Sequence, residues 1–85
     1  EINLDGSDLT GADLSGANLN YSSLIRANLT GANIAEAHLG NAFLIGANLR
    51  GANLTGARLR DTNFCNTTMP DGTIKNTNCS PGEEY

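Results

Sequence analysis

A five-residue repeat constrains the fold of this chain more than any other feature. Residues 46–60 read GANLRGANLTGARLR, and Leu or Ile recurs at every fifth position from Leu4 to Leu59, with Phe64 and Met69 continuing the register. An α-helix would spread such residues around its whole circumference, and a strand would alternate them between its two faces. Because neither element buries them together, the pattern predicts a solenoid in which each pentad forms one side and one corner of a coil.

The predicted coil closes about every twenty residues, so that four pentads surround a common axis. The large residue of each pentad and the small residue two positions before it would point inward. Leucine-rich repeats and hexapeptide β-helices are excluded because their periods differ from five. The predicted core residues are Leu9, Leu14, Leu19, Leu24, Leu29, Ile34, Leu39, Leu44, Leu49, Leu54, Leu59 and Phe64.

The motif Ala-[Asp/Asn]-Leu-x-Gly resembles the pentapeptide-repeat family, and residues 2–69 follow it. This resemblance implies an all-β fold, a right-handed quadrilateral β-helix whose coils stack by backbone hydrogen bonds at about 4.8 Å. We expect about 3.5 to 4 coils. The repeat domain would occupy residues 1–69, and a C-terminal capping tail would occupy residues 70–85.

The composition changes from Cys65 onward, and this segment contains both cysteines and both prolines. Pro70 and Gly72 stand where a type I turn prefers them. The residues alone leave two geometries possible. Either a disulfide caps the coil, or a further coil continues through Ile74, with Cys79 inside and Cys65 outside. The segment CNTTMPDGT with a later Cys resembles the C-terminal segment of cyanobacterial and thylakoid-lumen pentapeptide proteins, which favours the disulfide.

The same two cysteines indicate the cellular compartment of the protein. A disulfide indicates an oxidising compartment, here the thylakoid lumen or the periplasm with a signal removed before Glu1. Two free thiols in a cytoplasmic protein are the alternative.

The outer surface can be predicted because residues twenty apart would lie one above another. Ile25 and Ile45 fall in one outward column, with Phe43 beside them and Tyr21 at the preceding corner. An outward apolar cluster indicates an interface or a surface covered by another segment of the chain. We therefore expect these four side chains to face water and to contact a protein partner, with cover by the tail as the alternative.

The N-terminal end of the repeat shows no cap, since the register starts at once with Ile2 and Leu4. We therefore expect self-association through this uncapped end.

Charge and motif content exclude several functions. The net charge of -4 provides no basic surface for nucleic acid, and no apolar run is long enough for membrane insertion. His38 has no partners at ligand spacing, so we predict no metal and no cofactor. Arg60 beside Asp61 indicates an exposed ion pair rather than an anion site. The Asn-x-Ser/Thr sequons arise mostly because Asn-Leu-Thr is one variant of the repeat sequence, and we treat them as accidental.

No catalytic constellation is present in the sequence, so we predict no enzyme. A structural or protein-interaction scaffold is the leading hypothesis. The alternative is a DNA mimic that inhibits DNA gyrase, which resemblance to the quinolone-resistance members of the family would allow; the acidic residues, however, gather at the ends rather than in stripes. A redox enzyme that uses Cys65 and Cys79 is a third, less favoured hypothesis.

Overall fold

The computed structural model describes residues 2–79 and shows a chain in which each coil lies against the coil twenty residues later. Parallel β-bridges join Asn3 to Ser23, Ser23 to Phe43 and Phe43 to Asn63 along one side of the coil. Equivalent bridges with the same spacing run along three other sides. The spacing of twenty residues expected from the pentads is therefore present in the backbone pairing.

Backbone hydrogen bonds explain how successive coils are held together. The N–H of the large residue donates to the next coil, as from Leu29 to the carbonyl of Asn48 at 2.8 Å. The N–H of the residue before it donates to the preceding coil, as from Asn28 to the carbonyl of Ser7 at 2.9 Å. The N–H of the small residue closes a turn, as from Ala32 to the carbonyl of Leu29 at 3.0 Å. Every side thus bonds in both directions along the stack.

The Asp or Asn before the large residue has a structural role. Asn28 Oδ1 accepts the N–H of Thr30 at 3.1 Å and the Thr30 hydroxyl at 2.6 Å. Asp8 accepts the same two bonds from Thr10. This backbone N–H has no acceptor in a neighbouring coil, so the local side chain satisfies it.

The corners of the coil require a left-handed backbone. Every fifth residue from Gly6 to Asn66 has a positive φ, between 53° and 70°. Glycine is frequent at these corners because it adopts this φ without steric cost. Tyr21 and Glu36 adopt the same conformation with side chains attached.

The core runs along the axis and is closed only in its middle. Its buried members among the large residues are Leu19, Leu24, Leu29, Ile34, Leu39, Leu44, Leu49 and Phe64. Leu9, Leu14, Leu54 and Leu59 are half-buried and pack against them. The space between the central large residues has no room for a water molecule.

The repeat register ends in an antiparallel hairpin. Strand β1 (Thr67–Thr68) pairs with strand β2 (Ile74–Lys75), with Thr67 opposite Lys75. The N–H of Gly72 donates to the carbonyl of Met69 at 2.8 Å, which closes the expected turn. Ile74 is 53% exposed, so the alternative of a further coil with Ile74 inside is wrong. Parts of both predicted domains, Glu1 and Ser80–Tyr85, lie outside the described residues.

Candidate functional site

A disulfide joins the last coil to the tail. Cys65 and Cys79 are bonded, with their Cα atoms 5.0 Å apart and a sequence separation of 14. Cys65 is buried at 2% exposure, whereas Cys79 is exposed. The interpretation of the tail as a disulfide-bonded cap agrees with this geometry.

The disulfide fixes the segment Thr73–Cys79, which we call the strap, against one side of the last coil. The N–H of Phe64 donates to the carbonyl of Thr77 at 3.1 Å. Asn78 Nδ2 donates to the carbonyl of Thr62 at 3.0 Å. In the other coils these backbone groups bond to a following coil, so the strap takes the place of that coil on this side.

Two further contacts complete the cap. The N–H of Asn66 donates to Asn76 Oδ1 at 2.7 Å. Lys75 Nζ lies 4.5 Å from the centroid of the Phe64 ring, so its chain passes over the core residue at this end. The cap therefore combines hydrogen bonds with a cation–π contact.

The predicted contact residues do not share one environment. Tyr21 is 60% exposed, Phe43 is 44% exposed and Ile25 is half-buried. Ile45 is only 4% exposed, so the expectation that it faces water is wrong. The structure therefore leaves Tyr21, Ile25 and Phe43 as a patch on the outer wall, which we call the aromatic patch.

The burial of Ile45 has a cause that the sequence contained. Cys65 lies directly above Ile45 in the same outward column, and the carbonyl of Cys65 accepts the N–H of Gly46 at 2.9 Å. Cys65 is itself buried at 2% exposure, and Phe43 precedes Ile45 by two residues on the same side of the coil. The register of twenty from Ile25 through Ile45 to Cys65 is the signal that sequence analysis missed.

The polar residues of the wall form no reactive cluster. His38 bridges Asn18 and Arg58 through its backbone and is half-buried. Arg60 Nε lies 4.0 Å from Asp61 Oδ2, and both side chains are largely exposed. Within residues 2–79, no group of three or more His, Cys, Asp or Glu side chains could hold a metal ion. No helix in this range has the length and apolar character needed to cross a bilayer.

The first coil carries carboxylates with perturbed ionisation. The Thr10 hydroxyl, and then the Thr10 N–H, lower the pKa of Asp8 below its ordinary value. Ser15 lowers the pKa of Asp13 in the same way. Hydrogen bonds to the charged form are the cause in both cases. These carboxylates are exposed turn acceptors and do not face a pocket.

Comparison with known proteins gives consistent results. The sequence pattern described as "Pentapeptide repeats (8 copies)" matches residues 1–34 and 32–69. A pentapeptide repeat protein from the Arabidopsis thaliana thylakoid lumen superposes with a TM-score of 0.80 and 28% identity, over 89% of this chain and 52% of that protein. Rfr23, a pentapeptide repeat protein from the cyanobacterium Cyanothece 51142, superposes with a TM-score of 0.54 and 39% identity, over 85% of this chain and 56% of that protein. A search of curated proteins finds no match. The chain thus spans about half the length of these solved structures.

Proposed function

Because the chain belongs to the pentapeptide-repeat family and has the right-handed β-helix of that family, we propose that it is a non-catalytic scaffold that binds a protein. The observation that supports the proposal is the aromatic patch. Phe43 and Tyr21 expose 44% and 60% of their surface on a wall whose other positions are mostly polar or small. Aromatic side chains are enriched in protein interfaces, where they supply large contact area.

We propose a quadrilateral stack of about 3.5 to 4 coils, since the bridged residues run from Asn3 to Thr68 with a spacing of twenty. The repeat domain of residues 1–69 and the capping tail of residues 70–85 remain our proposed division. The β1–β2 hairpin crosses this boundary, so the two parts would fold as one unit.

We propose the thylakoid lumen or the periplasm as the compartment. The disulfide and the similarity to a thylakoid-lumen protein support this choice. A cytoplasmic location would be supported instead by two free thiols in protein isolated under non-reducing conditions with a thiol-blocking reagent.

Self-association through the N-terminal end is a further proposal. Ile2 is 48% exposed, and Leu4, Leu9 and Leu14 are half-buried among the described residues. Static light scattering tests it: a monomer at high protein concentration would contradict the proposal.

The scaffold proposal can be tested with a substitution that preserves the repeat. Phe43 occupies the position that Asp or Asn holds elsewhere, and its ring has no oxygen to accept the N–H of Ile45. Phe43→Asn supplies that acceptor, so we expect the stability of the variant to be unchanged or about 0.5–1.5 kcal/mol higher. We expect Phe43→Asn combined with Tyr21→Ser to lose the partner in a cross-linking pull-down.

Ile74→Ser is the matched control because Ile74 is 53% exposed but lies on the strap, outside the aromatic patch. The control should retain the partner. Retention of every partner by the folded Phe43→Asn/Tyr21→Ser variant would refute the role of the aromatic patch.

The gyrase alternative gains no support from the surface columns. Asp8 lies beneath Asn28 and Asn48, and Asp13 beneath Asn33, so carboxylates give way to neutral amides along the stack. A DNA mimic needs a continuous series of negative charges. A gyrase supercoiling assay provides the direct test, and clear inhibition would overturn the scaffold proposal.

A further inference from the structure

We propose that the Cys65–Cys79 disulfide controls the end of the strap, so that a dithiol reductant releases Asn76–Cys79 and uncovers Cys65 and the N–H of Phe64 while the hairpin and the coils stay folded. This inference concerns a conformational change and does not depend on the identity of any partner.

The last four residues of the strap, Asn76–Cys79, have little of their own to hold them against the coil. The preceding residues, Thr73–Lys75, belong to the hairpin, in which β2 pairs with β1 and the N–H of Met69 donates to the carbonyl of Thr73 at 2.7 Å. Every residue from Asn76 to Cys79 is exposed, and the described bonds of this segment to the last coil include those of Asn76, Thr77 and Asn78. A hydrogen bond of this kind contributes less than the conformational entropy lost when a residue of a surface segment is ordered. The covalent bond to Cys65 therefore determines whether this end of the strap stays in place.

The coils do not depend on the strap in the same way. From Leu4 to Leu49 the large residues donate their N–H groups to the following coil, and none of these acceptors belongs to the strap. Solenoids are stabilised by contacts between neighbouring repeats, so the loss of a terminal element propagates weakly into the stack. The strap can therefore open as a local unit.

The two sulfur atoms differ in solvent exposure, and this difference determines which sulfur atom the reductant attacks first. A thiolate of the dithiol reductant attacks the exposed Cys79 Sγ, and the Cys65 sulfur leaves as a thiolate that takes up a proton. The second thiol of the reductant then attacks the mixed disulfide, releases the Cys79 thiol and leaves the reductant oxidised. Two electrons and two protons pass from the reductant to the protein.

Release of the end of the strap would change the surface around Cys65. Cys65 is 2% exposed and lies above Ile45, whereas Phe64 lies beneath Lys75 of the hairpin. Reduction would therefore expose the Cys65 thiol and leave Ile45 and Phe64 covered.

Amide hydrogen exchange of the oxidised protein and of the protein reduced with dithiothreitol tests the proposal. In the closed state the strap provides the hydrogen-bond acceptors for the N–H groups of Phe64 and Asn66. After reduction we expect these two N–H groups to exchange at least about tenfold faster. Amides between Leu24 and Leu39 should keep their protection. A Cys79→Ser variant should show the reduced pattern without any reductant.

Alkylation gives a second measurement that does not depend on exchange. Cys65 is buried in the closed state, so in the reduced protein its reaction with iodoacetamide reports opening of the strap, whereas Cys79 reacts in either state. Unchanged protection at Phe64 with both thiols free, or an unreactive Cys65, would overturn the proposal. Loss of protection throughout the coils would overturn it as well, because the disulfide would then hold the whole fold.

Discussion

Replacing stacked leucines of one column with alanine tests which part of the core is closed to solvent and which part is open to it. Leu9, Leu29 and Leu49 lie one above another, and Leu29 and Leu49 are 1% and 0% exposed, whereas Leu9 is half-buried. Leu29→Ala leaves a cavity that the hydrogen bonds between coils prevent from collapsing, so we expect a loss of about 2–5 kcal/mol. Leu9→Ala opens to solvent and forfeits only part of a leucine's burial, so we expect a loss of about 1–2 kcal/mol.

Urea unfolding followed by circular dichroism measures these losses as changes in the free energy of unfolding. Leu49→Ala serves as the matched control, because its side chain is as buried as that of Leu29 and should cost a similar amount. Equal losses for Leu9→Ala and Leu29→Ala would refute the reasoning, since they would show that the N-terminal end of the core is as closed as its middle.

Three other substitutions test the packing, the cap and the turns. Ala32→Leu should lower the free energy of unfolding by at least about 1–3 kcal/mol in urea titrations, because Ala32 is 0% exposed and the narrow core cannot admit a larger side chain. Gly72→Ala should lower the melting temperature, because Gly72 has a φ of +86°, a backbone conformation that is strained for a residue with a side chain; Thr73→Ala is the comparison. Thr10→Val should raise the pKa of Asp8 in an NMR titration, because the Thr10 hydroxyl is the largest cause of its lowering. Since the folded pKa of Asp8 lies below the ordinary 3.8, its stabilising contribution is complete above that pH and declines as the pH falls through the folded value, and this acid dependence should weaken in Thr10→Val.

The pentads predicted most of the fold because they act locally. A large residue at every fifth position specifies which side chains meet at the axis, and Asn or Asp before it supplies an acceptor for a backbone N–H that no backbone carbonyl of a neighbouring coil accepts. The degree of burial along the axis could not be read from the repeat, because Leu9 and Leu29 have the same local sequence and differ only in the number of coils around them. That difference is a property of the stack.

The site was less predictable because it depends on contacts between the tail and the wall. Ile45 and Ile25 occupy equivalent positions, but Ile45 lies between Ile25 and the buried Cys65, whereas Ile25 lies above Asp5. Sequence analysis recognised the disulfide as a cap for the end of the coil and gave cover of the apolar cluster by the tail as an alternative, but it did not place Cys65 above Ile45. The twenty-residue register brings Cys65 close to Ile45, because it places Cys65 above Ile45 in the stack.

At some positions the Asp or Asn before the large residue is replaced, and the lost hydrogen-bond acceptor is then supplied by another coil in some cases and not in others. Ser23 replaces Asp or Asn, and Asp5 Oδ1 from the preceding coil accepts the N–H of Ile25 instead. At His38 the same compensation comes from Asn20 Oδ1, which accepts the N–H of Gly40 at 2.8 Å.

Phe43 and Arg58 also replace Asp or Asn, and neither side chain has an oxygen to accept the neighbouring N–H. The column below offers no substitute, because Ile25 lies beneath Ile45 and Gly40 lies beneath Arg60, and neither side chain carries an oxygen. The Arg58 side chain is exposed to solvent. Phe43 instead exposes apolar surface in mid-wall, and its side chain gives the coil no hydrogen bond; both properties agree with the proposed contact with a protein partner.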